Sequence, residues 1–493
     1  MFERHRSRIA RSASEIGGRT ESEALRRLDS VPVVVVLGNE MSDGHFSFLT
    51  ALRLAILTFG HVRVCLPRGN ATLVRRVQAL SRSLLGARHP LRLVDVAEIT
   101  ASDYVLAIGA VDVAGGRTVL VRSRGWIAEL VVADRRGNMA TGVPAAARRG
   151  ANAIGSAGAA ALGVGELFLL ALGLERPPTA FECSFLTYET GDIGSLATGP
   201  AIRKPMTING IQIGAGTVGG AFDYVSRQLP ITGNLAIVDP QRVGPENYGP
   251  HLLVGKFEVS RPKAELAVNV LKGRRKLRVK GYSEPVQLFA LRLGTEVGLP
   301  GVVVSGLDRA LPRHAVQRLW APLHVDMATG GFGGLQSQVL VRTNPGSGRC
   351  MIAAFSIAGE GPDEERWADM TGMREGRFKD PMSFISTADI EAAPPDKRPQ
   401  LLEAVNLGHR VCNVVIASEL GATDAARDFA ASAPFNALLA GTMAAGELVK
   451  AAGSNRDGVF VQYSLIRRAF FVEHTSCASD CECSSHVSSG TGK

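Results

Sequence analysis

The stretch IQIGAGTVGGAFDYVSRQLPITGNLAIVDP constrains the fold of this chain more than any other segment. An apolar strand runs into Gly214, Gly216 and Gly219, and a helix follows at once. Glycine at these places lets backbone N–H groups approach a phosphate at a helix N-terminus without a Cβ in the way. The next strand, LAIVD, ends in Asp239, 20 residues beyond Gly219, where a carboxylate can accept hydrogen bonds from ribose hydroxyls. The pattern predicts an α/β nucleotide-binding domain and fits NAD and ATP equally. A tight strand–helix turn alone would need only the glycines.

The two nucleotides part company after Asp239. An NAD enzyme continues into an apolar helix and another strand, whereas here the chain reads DPQRVGPENYGPHLLVGKFEVSRPKAELAVNVL. From about 210 to 450 this order resembles the adenylating enzymes of the ThiF, MoeB and ubiquitin-E1 superfamily. The resemblance implies ATP with Mg2+ as cofactor: Asp239 on the ribose, Asn247 and Lys263 by the phosphates. It also implies a magnesium ligand at Asp308, which closes the strand GVVVSGLD; read alone, Asp308 is an ordinary helix cap. Two departures stand out. Pro250 occupies the place of the family's arginine, for which His251, Lys256 or Arg261 could substitute. Cys350, where relatives begin a CxxC zinc pair, is followed by Met351, Ile352 and Ala353.

An internal duplication organises the chain. VPVVVVLGNEMSDGHFSFLTALRLAILTFGHVRVCLP repeats the strand, loop, helix, strand order, but its loop reads Gly38-Asn39-Glu40 and its second strand ends in Leu66-Pro67 rather than an acid. Without those groups the first copy should not bind ATP in the same way. Both copies close on a small-residue helix carrying Gly-Glu-Leu, at 165–167 and 446–448. Between matching landmarks the second copy is longer: 56 residues separate Gly109 from Gly165, and 140 separate Gly306 from Gly446. The predicted fold class is α/β, with tandem Rossmann-like doubly wound domains and an inserted, mostly helical segment. Residues 1–190 form the inactive adenylation domain, 200–350 with 430–475 the active one, 351–429 the insert and 476–493 a Cys-rich tail. This architecture resembles the paired inactive and active adenylation domains of eukaryotic E1 enzymes. It resembles still more closely the bacterial E1-like proteins of ubiquitination-like antiviral operons.

The resemblance places a nucleophile in the insert. Cys412, beside His409 and Arg410, is the first choice because a thiolate is strongly nucleophilic near neutral pH. The apolar run Val411, Val414, Val415 and Ile416 supports a buried core thiol equally well. Ser383, Ser386 and Ser418 offer an ester instead. Cys477, Cys481 and Cys483 in the tail could reach an adenylate, or bind Zn2+ with His474 or His486. Arg6, Arg8 and Arg11 could reach the ATP site from the first copy, as related enzymes borrow an arginine from the paired domain; a solvated helix face is the plainer reading.

Composition narrows the function classes. At 493 residues with a mean hydropathy of +0.10, the chain has ample core for two or three domains. The net charge of +9 comes without the aromatic–basic interleaving of nucleic-acid sites and reads as solvated surface, with an acidic protein partner compatible. Residues 1–30 show no apolar signal core, and seven unevenly spaced cysteines suit reduced thiols in the cytoplasm. Ile154–Leu172, interrupted by Glu166, predicts a buried packing helix rather than a membrane span. The expected function is an E1-like enzyme that adenylates the C-terminal carboxylate of a ubiquitin-like protein, captures it covalently on Cys412 and passes it to an E2-like partner; a homo-oligomer is compatible. Lys263 and Asp308 complete the catalytic set. The alternatives are an adenylyltransferase for a sulfur-carrier protein or peptide without an enzyme thioester, and an NAD-dependent oxidoreductase or nucleotide-sensing scaffold.

Overall fold

The structure, a computed structural model, describes residues 7–38, 44–86, 91–109, 117–132, 152–174, 177–273, 276–294, 297–308, 310–317, 319–343, 348–354, 363–379, 383–406, 411, 414, 432–453 and 458–476. They divide into two compact units, Met1–Ala354 with Ala430–Lys493, and Phe355–Phe429.

The larger unit holds two eight-stranded sheets of one design. The first contains β1 (Pro32–Leu37), β2 (His61–Cys65), β3 (Arg92–Val94), β4 (Tyr104–Ile108), β5 (Arg117–Arg124), β6 (Ile127–Val132), β7 (Thr179–Ser184) and β8 (Thr190–Gly191). The second contains β9 (Met206–Ile213), β10 (Ile231–Val238), β11 (Leu277–Tyr282), β12 (Val302–Ser305), β13 (Leu323–Gly330), β14 (Gln336–Thr343), β15 (Val459–Ser464) and β16 (Ala469–His474). Their spatial orders are β3-β2-β1-β4-β5-β6-β7-β8 and β11-β10-β9-β12-β13-β14-β15-β16, the same path twice. In each, five strands pair in parallel and the last three return antiparallel. The parallel strands β1, β4 and β12 are almost wholly buried apolar runs, as expected where helices cover both faces.

Four helices of the first half matter below: α1 (Ser7–Gly17), α2 (Glu21–Ser30), α3 (Gly44–Thr58) and α4 (Ala71–Leu85). Then comes α5 (Ala153–Ala171), which is long and apolar enough to cross a membrane, although 89% of that window is buried inside the protein. The second half supplies α6 (Thr217–Ser226), α7 (Lys263–Leu271), α8 (Val286–Ala290), α9 (Ala310–Gln317) and α10 (Met351–Ala354); after the smaller unit comes α14 (Pro434–Ala451). Small residues let α5 pack backbone-close: a Cβ on Gly158 would sit 2.1 Å from the Phe185 ring. The two halves meet along these helices, where the Phe168 and Phe435 rings lie 5.2 Å apart.

Each Gly-Glu-Leu glutamate accepts a hydrogen bond from the opposite half. Glu166 of α5 accepts two hydrogen bonds, at 2.9 and 2.8 Å, from Arg468 in the β15–β16 turn. Glu447 of α14 accepts from the Tyr188 hydroxyl in the β7–β8 turn at 2.6 Å and from Lys450 at 2.8 Å. Tyr188 and Arg468 occupy equivalent turn positions, and both have left-handed backbones, φ 62° and 54°. A buried carboxylate is tolerable only when so paired, so the repeated motif marks a pseudo-twofold contact. Duplication accounts for this reciprocity; a chance match of two small-residue helices does not.

The smaller unit contains α11 (Asp363–Thr371), α12 (Thr387–Ala392) and α13 (Arg398–Asn406) around Met373, Phe378, Ile385, Leu401, Val411 and Val414. Ser386 precedes α12, its N–H and hydroxyl donating to the Asp389 carboxylate at 2.8 and 2.7 Å, and Arg377 pairs with Asp389 at 2.7 Å. Cys412, His409, Arg410 and Ser418 lie outside the described residues, as do Cys477, Cys481, Cys483 and His486.

Candidate active site

β9 runs into Gly214, whose φ of +87° and contact with the residue after β12 admit no side chain: a Cβ there would fall 2.5 Å from the Gly306 carbonyl. Gly219 sets the first turn of α6 against the same loop, since its Cβ would lie 2.0 Å from the Gly214 carbonyl. Gly216 differs. It is the N-cap of α6, no side chain caps the helix, and a Cβ there would meet nothing within 4 Å. Two glycines therefore shape the loop, and the third leaves the orphan N–H groups of α6 facing open space, the arrangement that receives an anion.

Asp239 follows β10 and ties the loop from below. Its carboxylate accepts from Ala215 N–H and from Gln241 N–H, each at 2.7 Å. Burial pushes this carboxyl above the ordinary aspartate value, and the Lys263 ammonium and the two N–H donors pull it back. Lys263, the first residue of α7, donates to the Gln241 side chain at 2.7 Å; burial lowers its pKa, opposed chiefly by Asp239. Asn247 is buried, and its side-chain oxygen accepts from Gly244 N–H at 2.9 Å, folding the segment after Asp239 back on itself. Asp308, just past β12, is exposed, and its charge acts on both Asp239 and Lys263. Behind it Arg313 turns inward, pairing with the buried Asp326 at 3.3 Å, which also accepts from Ser305 at 2.6 Å.

The candidates for the missing arginine are placed elsewhere. His251 is fully buried. Leu253 N–H donates to its Nδ1 at 3.2 Å, so the proton resides on Nε2, which donates to the Ala215 carbonyl at 2.9 Å. Burial lowers its pKa to about 4, and it is neutral at pH 7. Arg261 pairs with Glu258 at 2.6 Å, and Lys256 lies against Gly86 of the first half. The additional positive charge comes from α1: Arg8 acts electrostatically on both Lys263 and His251. That helix is fixed to the second half by Ser12, which donates to the Gly333 carbonyl at 2.5 Å, and by Glu15, which accepts from Gly333 N–H at 2.9 Å. Arg11 pairs with Glu15 at 3.3 Å, and Arg6 lies outside the described residues.

An open helix N-terminus, an ammonium and an exposed carboxylate at one sheet end suit a polyphosphate carrying a divalent cation, because magnesium characteristically takes few protein carboxylates and completes its shell with phosphates and water. Among the described residues no group of three or more His, Cys, Asp or Glu could hold a metal by itself. The first half lacks the counterpart: Leu66 and Pro67 line the end of β2, where the second half has Asp239 and Pro240. Sequence reasoning missed Gln241 as the link between Lys263 and the loop, and the role of His251 as a neutral clamp; neither residue type signals such a role locally.

The sequence profile of the ThiF family matches residues 211–485, and that of the BilD N-terminal domain matches residues 32–184. No curated protein matches the chain. Among solved structures, the chain is similar to a crystal structure of Escherichia coli MccB at 11% identity, covering 56% of this chain and 64% of that one with a TM-score of 0.36. MccB with ATP matches at 9% identity, covering 56% and 66%, with a TM-score of 0.35. MccB with MccA-N7isoASN matches at 10% identity with the same coverage and a TM-score of 0.36. The chain thus spans just under two thirds of the length of these proteins.

Proposed function

The chain belongs to the ThiF family, and from that premise we propose that it is an E1-like enzyme that uses ATP to adenylate the C-terminal carboxylate of a ubiquitin-like protein. The observation that carries the reading is the convergence, at one end of the second sheet, of the open α6 N-terminus, Lys263, Asp308, Asp239 and Arg8. In this reading the α6 N–H groups and Lys263 bind the phosphates, Asp239 adds ribose hydroxyls to the N–H bonds it already accepts, and Asp308 holds Mg2+, which supplies charge neutralisation at the departing pyrophosphate. Arg8 provides the charge that Pro250 leaves out. The carrier carboxylate oxygen attacks the α-phosphorus, the bond to pyrophosphate breaks, and an acyl-adenylate results. The first half, with Leu66 for an acid, binds no ATP; it supplies α1 and a platform.

Capture of the acyl group belongs to the segment 351–429. A Cys412 thiolate attacking the acyl carbon would release AMP and form a thioester, which an E2-like thiol then takes over; the proposed setting is the cytoplasm. Intact-mass analysis of the enzyme with ATP, Mg2+ and carrier tests this. A thiol-sensitive adduct absent from Cys412→Ala is the expected result. Adenylate without any adduct would favour transfer without an enzyme thioester, and no nucleotide binding at all would dismiss the reading.

A further inference from the structure

The loop from Asn247 to Lys256 belongs to the second half yet is held by the first. Arg53 of α3 donates through Nη1 to the Leu252 carbonyl. The Tyr248 hydroxyl donates to the Leu84 carbonyl, and Lys256 N–H donates to the Ser83 carbonyl at 3.1 Å, both at the C-terminal end of α4. Gly255 is pressed so closely on this surface that a Cβ would fall 2.7 Å from the Ser83 carbonyl. Arg53 is itself oriented: its guanidinium carbon lies 5.8 Å from the centre of the Tyr224 ring of α6, Phe46 stacks on that ring at 5.7 Å, and Thr50 meets the Tyr224 hydroxyl at 3.1 Å.

Beside Leu252, His251 carries this anchoring onward. Its Nε2–H holds the Ala215 carbonyl, Leu253 N–H fixes its Nδ1, and its ring packs so tightly on α6 that a Cβ on Gly220 would lie 2.3 Å away. Ala215 is consequently gripped at both ends, N–H by Asp239 and carbonyl by His251, one residue before the half-buried Gly216. A neutral, buried ring with one donor and one acceptor is suited to fixing a loop and unsuited to neutralising a phosphate.

We infer that Arg53, on the half without a nucleotide site, is a positioning residue for the glycine-rich loop, acting through Leu252, His251 and Ala215. The inference rests on the reading of that loop as the ATP phosphate site, and it gives the degenerate half a stated task. It sets the loop's geometry before nucleotide arrives, so Arg53 affects binding of ATP more than the chemical step.

The test uses the full chain. Arg53→Met removes a partly buried charge-assisted hydrogen bond and should raise the KM for ATP in pyrophosphate exchange about ten- to a hundredfold, leaving kcat within about twofold. Amides 215–220 should exchange hydrogen faster in the nucleotide-free variant, and those of β12 and β13 should not. Arg53→Lys, which keeps one donor, should recover part of both effects and serves if the methionine variant folds poorly. His251→Leu should reproduce the KM increase, and combining it with Arg53→Met should add little more, because both cut one path. Wild-type KM and wild-type exchange at 215–220 in Arg53→Met overturn the inference, as do fully additive effects. If wild type binds no ATP, the functional reading fails, and the exchange data still decide whether Arg53 orders the loop.

Discussion

Replacing Asp223 by Asn should stabilise the protein, by an amount that grows with pH. Asp223 sits on α6, fully buried beneath the nucleotide loop. One of its oxygens accepts from Gln212 Nε2 at 3.1 Å; the other, Oδ1, and the Gln212 Oε1 are buried with no hydrogen-bond partner among the described residues. Two acceptors facing burial call for a proton between them, and desolvation raises the Asp223 pKa to about 7 from 3.8. The sign follows from linkage. Because the folded pKa is raised, the unfolded chain releases its proton first, so stability falls as pH rises from about 4 to about 7 and stays low above that. At 1.36 kcal/mol per unit, ionising Asp223 costs up to about 4 kcal/mol at pH 8 and about 1.5 kcal/mol at pH 5. Asn keeps the acceptor for Gln212 and offers an N–H to the orphan Oε1. Denaturant unfolding of both proteins at pH 5 and pH 8 should show the Asp223→Asn advantage widening by about 2.5 kcal/mol. An advantage that does not change with pH, or a variant less stable at pH 8, would refute the assignment of a proton to this pair.

The remaining predictions use the same atoms. Gly216→Ala should fold with wild-type stability yet bind ATP more weakly, whereas Gly219→Ala, whose Cβ collides with a backbone carbonyl at 2.0 Å, should lower the melting temperature; equal stability loss in both would contradict the division of labour among the glycines. His251, neutral in the fold with a pKa lowered from 6.5 to about 4, is protonated first in the unfolded chain, so acidification from pH 6.5 to 4 should cost up to about 3 kcal/mol, and His251→Gln should be less acid-sensitive in a melting series. Glu166→Gln strips the half-buried Arg468 of its counter-charge and should destabilise by about 1.5–3 kcal/mol in the same assay.

What the sequence made legible is local. Gly214, Gly216, Gly219 and Asp239 announce a strand–loop–helix–strand unit because the backbone geometry they require is set within 30 residues, and the valine runs of β1 and β12 announce buried parallel strands. The degenerate first copy is legible for the same reason, and the identical strand order of the two sheets follows it. Contacts across hundreds of residues left no such trace. Ser12 meeting Gly333, Arg53 meeting Leu252 and Arg468 meeting Glu166 each join segments whose composition is ordinary on its own. His251 shows the limit most clearly: its residue type suggested a cation, but burial and two backbone partners make it a neutral clamp, and only the packing of α6 against the loop decides which.

Carrier-dependent exchange of labelled pyrophosphate into ATP tests the central claim most directly. With ATP, Mg2+ and a ubiquitin-like protein ending in a free carboxylate, the wild-type chain should catalyse exchange, and Asp308→Ala, which removes an exposed carboxylate without emptying a core site, should abolish it while melting at the wild-type temperature. Undiminished exchange in Asp308→Ala, or no exchange by the wild-type chain with a carrier it demonstrably binds, would contradict the account.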